Sequence, residues 1–242
     1  MYTRSCFIAF LTIAVVASGA TSCSGNDSTG PDRVGPPAKV LKISGDSQQG
    51  VVAARLWDSL VVEVEDANDH PLKGAQVTFA VVSGGGSVSP TQARTDENGL
   101  ARTSWLLGTS TAVADSQRLV ARLDRAGTTP ATFVAIARVG HPITLQPVQG
   151  DFQTGTLGAP LARDLVVRLV DPYNNPAADY GVFWGVTKGG SITPTFVKAD
   201  AAGLARARWT LAASTDSVGT ATAFFYDPIP QLLYFHAVVG PP

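Results

Sequence analysis

Cysteine is nearly absent. The 242 residues hold two, Cys6 and Cys23, so the fold has to rest on an apolar core and not on a disulfide framework. Histidine is scarce as well: His70, His141 and His236 stand far apart in the sequence. A catalytic or zinc site needs histidine beside carboxylate or thiolate in fixed geometry, and no G-x-S-x-G nucleophile elbow is present. No enzyme, metal site or cofactor is expected. Positive charge is not concentrated either. Lys and Arg number 18 against 19 Asp and Glu, for a net charge of −1, with no basic run. The electrostatic footprint that nucleic-acid binding requires is missing, which excludes that class. The one extended apolar run, Phe7 to Ala17, has 11 residues, short of the roughly 20 that span a bilayer as a helix. No convincing helical periodicity occurs outside it.

What is present at the N-terminus is an export signal. Arg4, the apolar run and the small residues of "SGATSCSG" follow one another in the expected order, which assigns residues 1–22 to a signal peptide. Within it, Ala20-Thr21-Ser22-Cys23 resembles the lipobox of bacterial lipoproteins, with Ala20 where that family usually has leucine. The resemblance implies cleavage before Cys23 and a lipid on its thiol, so that the membrane is a partner through the anchor. Ser24 in place of aspartate implies passage to the outer membrane. Ordinary secretion, cut after Ala20 in Ser18-Gly19-Ala20, is the alternative. Residues 24–37, "SGNDSTGPDRVGPP", show no apolar period and are rich in Gly, Ser, Asp and Pro. Residues 23–37 are therefore expected to form a flexible tether, reaching about 20 Å.

The rest of the chain is a repeat. "GGSVSPTQARTDENGLARTSWLL" (Gly85 to Leu107) returns as "GGSITPTFVKADAAGLARARWTL" (Gly189 to Leu211), and "LVVEVEDANDHP" (Leu60 to Pro71) as "LVVRLVDPYNNP" (Leu165 to Pro176). From Gly45 to Leu107, 25 of 62 aligned positions are identical, with one gap. A period near 100 residues is too long for a solenoid and is the size of one β-sandwich. Two copies follow, residues 38–140 and 141–242. Each alternates with period two: Leu60, Val62 and Val64 share a face, as do Ala101, Thr103, Trp105 and Leu107. Their counterparts are Leu165, Val167 and Leu169, and Ala205, Ala207, Trp209 and Leu211. Half-buried strands read this way, with "DANDHP", "SGGGS", "TDENG", "DPYNNP", "KGGS" and "ADAAG" as turns between them. The expected fold is all-β, seven or so strands per copy, with Trp105 and Trp209 as core anchors.

The ordered pattern of "GDxQ-G", "LVVxVxDxxxxP", "VxFxV", "GGS", "TDxxGxAxxxWxL" and "FxA", twice over, resembles bacterial immunoglobulin-like domains of the invasin/intimin type. The resemblance covers nearly all of residues 38–240. It implies two tandem immunoglobulin-like β-sandwiches acting as a structural or adhesive stalk on the bacterial envelope, with a surface protein or a glycan as partner. The second copy departs from the first where Gly181, Phe183 and Gly185 replace Gln76, Thr78 and Ala80.

Three features invite a chemical reading. "SGGGSVSP" could cradle a phosphate, but it has no Gly-Lys-Ser/Thr and runs into a strand rather than a helix, so a turn needing positive φ is expected. Asp66-Ala67-Asn68-Asp69 clusters oxygens without the twelve-residue calcium pattern, so aspartates capping their own turns are expected there and at Asp171, Asp96 and Asp200. The second copy, with 13 charged residues against 20 in the first, places Phe183, Phe224 and Tyr226 on outward faces and Tyr173 and Tyr180 in a turn. These five aromatics are the candidate partner-binding residues. A carbohydrate-binding or periplasmic assembly role of this second copy is the alternative to the adhesive stalk.

Overall fold

The computed structural model describes residues 34–112, 117–125, 127–142, 144–188, 190–213, 218–226 and 230–240. The signal segment, Cys23 and the tether up to Arg33 lie outside them. The described chain is all-β. Its first half comprises β1 (Lys39–Ser44), β2 (Gln48–Val51), β3 (Leu60–Glu65), β4 (Gln76–Ser83), β5 (Gly86–Ser89), β6 (Gln92–Arg94), β7 (Leu100–Leu107), β8 (Gln117–Leu123) and β9 (Ala131–Arg138). The second half repeats this set as β10 (Thr144–Gln149), β11 (Gln153–Gly155), β12 (Leu165–Val170), β13 (Gly181–Lys188), β14 (Ser191–Thr193), β15 (Phe196–Lys198), β16 (Leu204–Thr210), β17 (Val218–Tyr226) and β18 (Pro230–Val239).

Each half is an immunoglobulin-like β-sandwich. A four-stranded sheet, β1-β3-β7-β5 or β10-β12-β16-β14, packs on a five-stranded one, β2-β9-β8-β4-β6 or β11-β18-β17-β13-β15. Pairing is antiparallel except at the β2–β9 and β11–β18 edges, which are parallel. The sandwich forms because period-two alternation gives each strand one apolar face, and two such faces bury each other. Trp105, Phe79 and Phe133 meet in the first core, and Trp209, Trp184 and Phe235 in the second. One strand departs from the expected alternation: in β12, Val166 and Val170 are buried along with Leu165, Val167 and Leu169. At the equivalent positions of the first copy Val61 and Glu65 are both half-buried, so the extra cover on Val166 comes from the surroundings of β12 and not from residue type.

The aspartates close their own turns. Asp66 Oδ1 accepts from the Asn68 and His70 amides at 2.8 and 3.0 Å, and Oδ2 from the Gly35 amide at 2.7 Å. Those amides, Gly35 and His70 foremost, hold the buried Asp66 carboxyl well below the usual carboxylate range, against the opposing effect of burial. Asp96 is lowered by the Leu100 amide and by Arg102, and Asp200 by Arg206 and the Leu204 amide. Both carboxylate oxygens of Asp66 are thus occupied by donors within the protein. Val34 to Pro37, assigned by composition to the tether, are held at this end of the first sandwich by the Gly35–Asp66 bond and by Arg125 Nη1 donating to the Pro37 carbonyl at 3.0 Å.

The same turn in the second copy joins the two sandwiches. Asp171 Oδ1 accepts from the Tyr173 and Asn175 amides, both at 2.9 Å, and Oδ2 from Gly140 N at 3.3 Å. Asn175, which stands where the first copy has His70, donates through Nδ2 to the Thr109 carbonyl at 2.8 Å and accepts at Oδ1 from the Thr111 amide at 3.1 Å. A buried amide donor and acceptor thereby tie the end of the first sandwich to the start of the second. Asn175→Ala removes both bonds, and because Thr109 is exposed and Thr111 half-buried water replaces them, for a loss of about 0.5–1.5 kcal/mol. Hydrogen exchange at the Thr111 amide should quicken several-fold, with the amides of β7 and β16 unchanged. An unchanged Thr111 rate would show that Asn175 does not hold the joint.

Candidate functional site

The outer face of the second five-stranded sheet differs in kind from that of the first. In the first sandwich, Gln92, Thr78 and Arg122 lie side by side across β6, β4 and β8. In the second, the same lattice points on β15, β13 and β17 carry Phe196, Phe183 and Phe224. Leu232 on β18 pairs with Phe224 and extends the row. Phe183 stacks on Phe224 with centroids 5.1 Å apart and planes at 15°, and meets Phe196 at 4.8 Å and 51°. These spacings lie within the range in which aromatic rings attract one another. Phe183, Phe196 and Phe224 remain 40%, 47% and 37% exposed, in that order. They share an apolar surface with water that domain packing does not require them to expose.

A glycine makes the row possible. Gly181 pairs with Lys198, next to the Phe183–Phe196 pair. A Cβ on Gly181 would overlap the Phe196 ring, lying 2.7 Å from Cζ. Glycine inside a strand costs about 0.5–1 kcal/mol relative to alanine. Here that cost lets the ring of Phe196, on the edge strand β15, lie over the backbone of β13.

The five aromatics expected from sequence separate into three groups. Phe183 and Phe224 are central to the row, and Tyr226, two residues beyond Phe224, is exposed on the same face. Tyr173 is exposed, but in the turn after β12, at the joint end of the other sheet. Tyr180 turns inward: it packs against the second core and meets Phe225 edge-on at 6.2 Å and His141 at 6.5 Å. It is therefore a packing residue, placed by the turn that precedes β13 and not by strand alternation. Phe196, Leu232 and Tyr234 belong to the face and were not singled out by sequence. Phe152 also lies on this side, stacked on His236 at 5.4 Å and 16°.

Charge on the face is sparse, and at its border the Asp151 carboxylate, in the turn before β11, accepts from the His236 amide at 2.7 Å. The five strands of this sheet carry no Asp or Glu; their cations are Lys188, Lys198 and His236 when protonated. Among the described residues, no three His, Cys, Asp or Glu side chains come together to hold a metal ion. The face can offer ring stacking, the hydroxyls of Tyr226 and Tyr234, and the ammonium of Lys198.

One exposed aromatic lies in the first sandwich. Trp57 is 98% exposed, between Leu56, buried with its amide on the Trp105 carbonyl, and Asp58, whose amide donates to Gln48 Oε1 at 2.9 Å. Its flanking residues are fixed, so the indole is presented on a firm loop.

No protein-family model matches the sequence, and no curated protein matches it. Solved structures are similar in fold. The Escherichia coli adhesin FdeC is 16% identical over 84% of this chain and 63% of its own, with a TM-score of 0.48. Invasin, a bacterial integrin-binding protein, is 20% identical over 81% of this chain and 38% of its own, with a TM-score of 0.36. The D00–D0 domain of intimin is 10% identical over 82% of this chain and 99% of its own, with a TM-score of 0.41. The chain thus spans under two thirds of the FdeC and invasin structures, and these likenesses concern fold alone.

Proposed function

We propose that this chain is an exported cell-envelope protein, lipid-anchored through Cys23 at the outer membrane, that works as a structural and adhesive module. The first sandwich is the spacer nearer the anchor, and the second carries the contact face. The observation that carries this reading is the contrast between two copies of one sheet. Gln92, Thr78 and Arg122 make a solvated surface, while Phe196, Phe183 and Phe224 at the same positions leave an apolar row exposed. Exposed apolar patches of this kind mark interaction sites. The alternative reading is a carbohydrate-binding or periplasmic assembly module that uses this second sandwich.

One experiment tests anchor and face together. The full chain, Cys23→Ser, and the triple variant F183T/F196Q/F224R are produced in a bacterium fed radioactive palmitate. Cys23→Ser should lose the label and leave the membrane fraction. The triple variant should keep both, while its cells lose at least ten-fold in retention on immobilised envelope fragments. Label persisting on Cys23→Ser overturns the anchor, and undiminished retention of the triple variant overturns the contact face.

A further inference from the structure

We infer that a cleft at one corner of the second sandwich binds the lysine side chain of a partner protein through Asp151. The cleft shares no residue with the phenylalanine row, so its failure would leave the contact face untouched. The two copies differ at this corner, the turn that joins β1 to β2 and β10 to β11. In the first copy, Asp46 Oδ1 accepts from the Val134 amide at 2.9 Å. Its Oδ2 accepts from the Lys42 ammonium, which stands 5.9 Å from the centre of the Phe133 ring. The second copy keeps the acid, the backbone donor and the phenylalanine. Asp151 Oδ1 accepts from the His236 amide at 2.7 Å and from the Phe152 amide at 2.9 Å, with Phe235 in the place of Phe133. The cation is not kept. Lys42 faces Val62 across β1 and β3, and Pro147 faces the equivalent Val167 across β10 and β12. Proline carries no charge, and among the described residues no donor reaches Asp151 Oδ2.

Space is open at the same point. A cleft of about 300 Å³ lies among Pro147, Val148, Gly150, Asp151 and Arg163, with the buried Phe235 beneath it. The first copy therefore displays what the cleft of the second would take: a primary ammonium on an alkyl stem, donating to the outer carboxylate oxygen. Two amides already fix Asp151 Oδ1, so Oδ2 is presented without reorganisation, which lowers the cost of binding. Arg163 stands where the first copy has Asp58, its amide on Gln153 Oε1 at 2.9 Å as the Asp58 amide is on Gln48 Oε1. Among the described residues no ion pair joins it to Asp151. The cleft thus carries one charge of each sign and suits a lysine accompanied by an acidic neighbour. A lone ion pair at a surface holds a free amine only weakly. A partner that touches the surrounding surface brings the ammonium with it, and the pair then serves specificity more than affinity.

The His236 amide donates to Asp151 and reads the carboxylate directly by nuclear magnetic resonance of the isotope-labelled full chain. Nα-acetyl-lysine N-methylamide is titrated at constant ionic strength and above the titration range of histidine, because His236 Nδ1 stands 3.4 Å from Asp151 Oδ1. The norleucine analogue, which lacks the ammonium, is the control. The His236 amide should shift along a saturable curve with the lysine compound and stay still with the norleucine compound. Asp151→Asn keeps an oxygen for the His236 amide, and Pro147→Lys supplies the cation from within. Each should weaken the response by about ten-fold or more. The first copy gives the converse: the Val134 amide should stay still in the wild type and begin to move in Lys42→Ala. A His236 amide that does not respond, that responds equally to norleucine, or that responds undiminished in folded Pro147→Lys overturns the cleft. If Pro147→Lys does not fold, an undiminished response in Asp151→Asn or a still Val134 amide in Lys42→Ala overturns it instead. Free lysine binding about ten-fold or more tightly than the acetylated amide would assign the cleft to an amino acid held by Asp151 and Arg163 together, and overturns the partner lysine.

Discussion

Trp105→Ala should unfold the first sandwich and leave the second standing. Trp105 is fully buried at the centre of β7 and packs within a core cluster that shares no residue with the cluster around Trp209. Truncating a buried tryptophan costs about 3–5 kcal/mol, part lost transfer energy and part cavity. A domain of this size holds about 5–15 kcal/mol in all, so the loss is a large share of it. In scanning calorimetry the transition of the first sandwich should fall by about 12 °C or more, with that of the second unmoved. Trp209→Ala should do the reverse. If either variant lowers both transitions equally, the two cores unfold as one unit and the argument from separate clusters fails. Trp105→Phe refines the test. Among the described residues the Trp105 Nε1 has no hydrogen-bond partner, and a buried unpaired donor costs about 1–3 kcal/mol. Phenylalanine keeps most of the ring and removes that donor, so its effect should be well below that of alanine.

The tryptophans were legible because strand alternation has a period of two. Ala101, Thr103, Trp105 and Leu107 read as one face in the sequence and are all buried. The same rule placed Phe183 and Phe224 outward. It could not reach Phe196, which sits in a three-residue strand too short to show a period. Only the pairing of β15 with β13 brings it to Phe183, and pairing partners are set by the whole sheet. Nor could it orient Tyr180, which precedes β13 and takes its direction from a turn. Composition hid something at the other end of the chain. "RVGPP" at residues 33–37 and "RVGHP" at 138–142 are the same element, yet Gly and Pro read as loose tether. Gly35 and Gly140 donate to equivalent aspartates, Asp66 and Asp171. The signal was in the repeat rather than in the residue types.

Gly190→Ala should be the most damaging single change in the turns of the second sandwich. Gly190 has φ of +106°, a region L-residues rarely enter, and a Cβ there would overlap the Thr210 carbonyl oxygen and lie 2.8 Å from both Ala212 N and Leu211 C. Backbone strain of this kind costs about 1–3 kcal/mol by itself. The overlap is with backbone atoms of β16, which cannot rotate away, so β14 must separate from β16. That pairing puts Ile192 opposite Trp209, and losing it uncovers the largest side chain of the core. A total of at least about 3 kcal/mol is expected, within the range that only core or backbone conflicts reach. Gly158→Ala is the control. Its φ is +67°, and the nearest atom to a new Cβ is Ala213 Cβ at 3.7 Å, so only the left-handed backbone cost of about 1–2 kcal/mol applies. Urea unfolding of the two variants compares them directly. Equal losses would mean that the glycine serves φ alone and not the approach of β14 to β16. Gly86, at φ +90° with a Cβ position 2.7 Å from Gly108 N, faces the same obstacle in the first copy. Gly86 and Gly190, from the two stretches that could have cradled a phosphate, are therefore fixed by the close approach of paired strands, and not by a ligand.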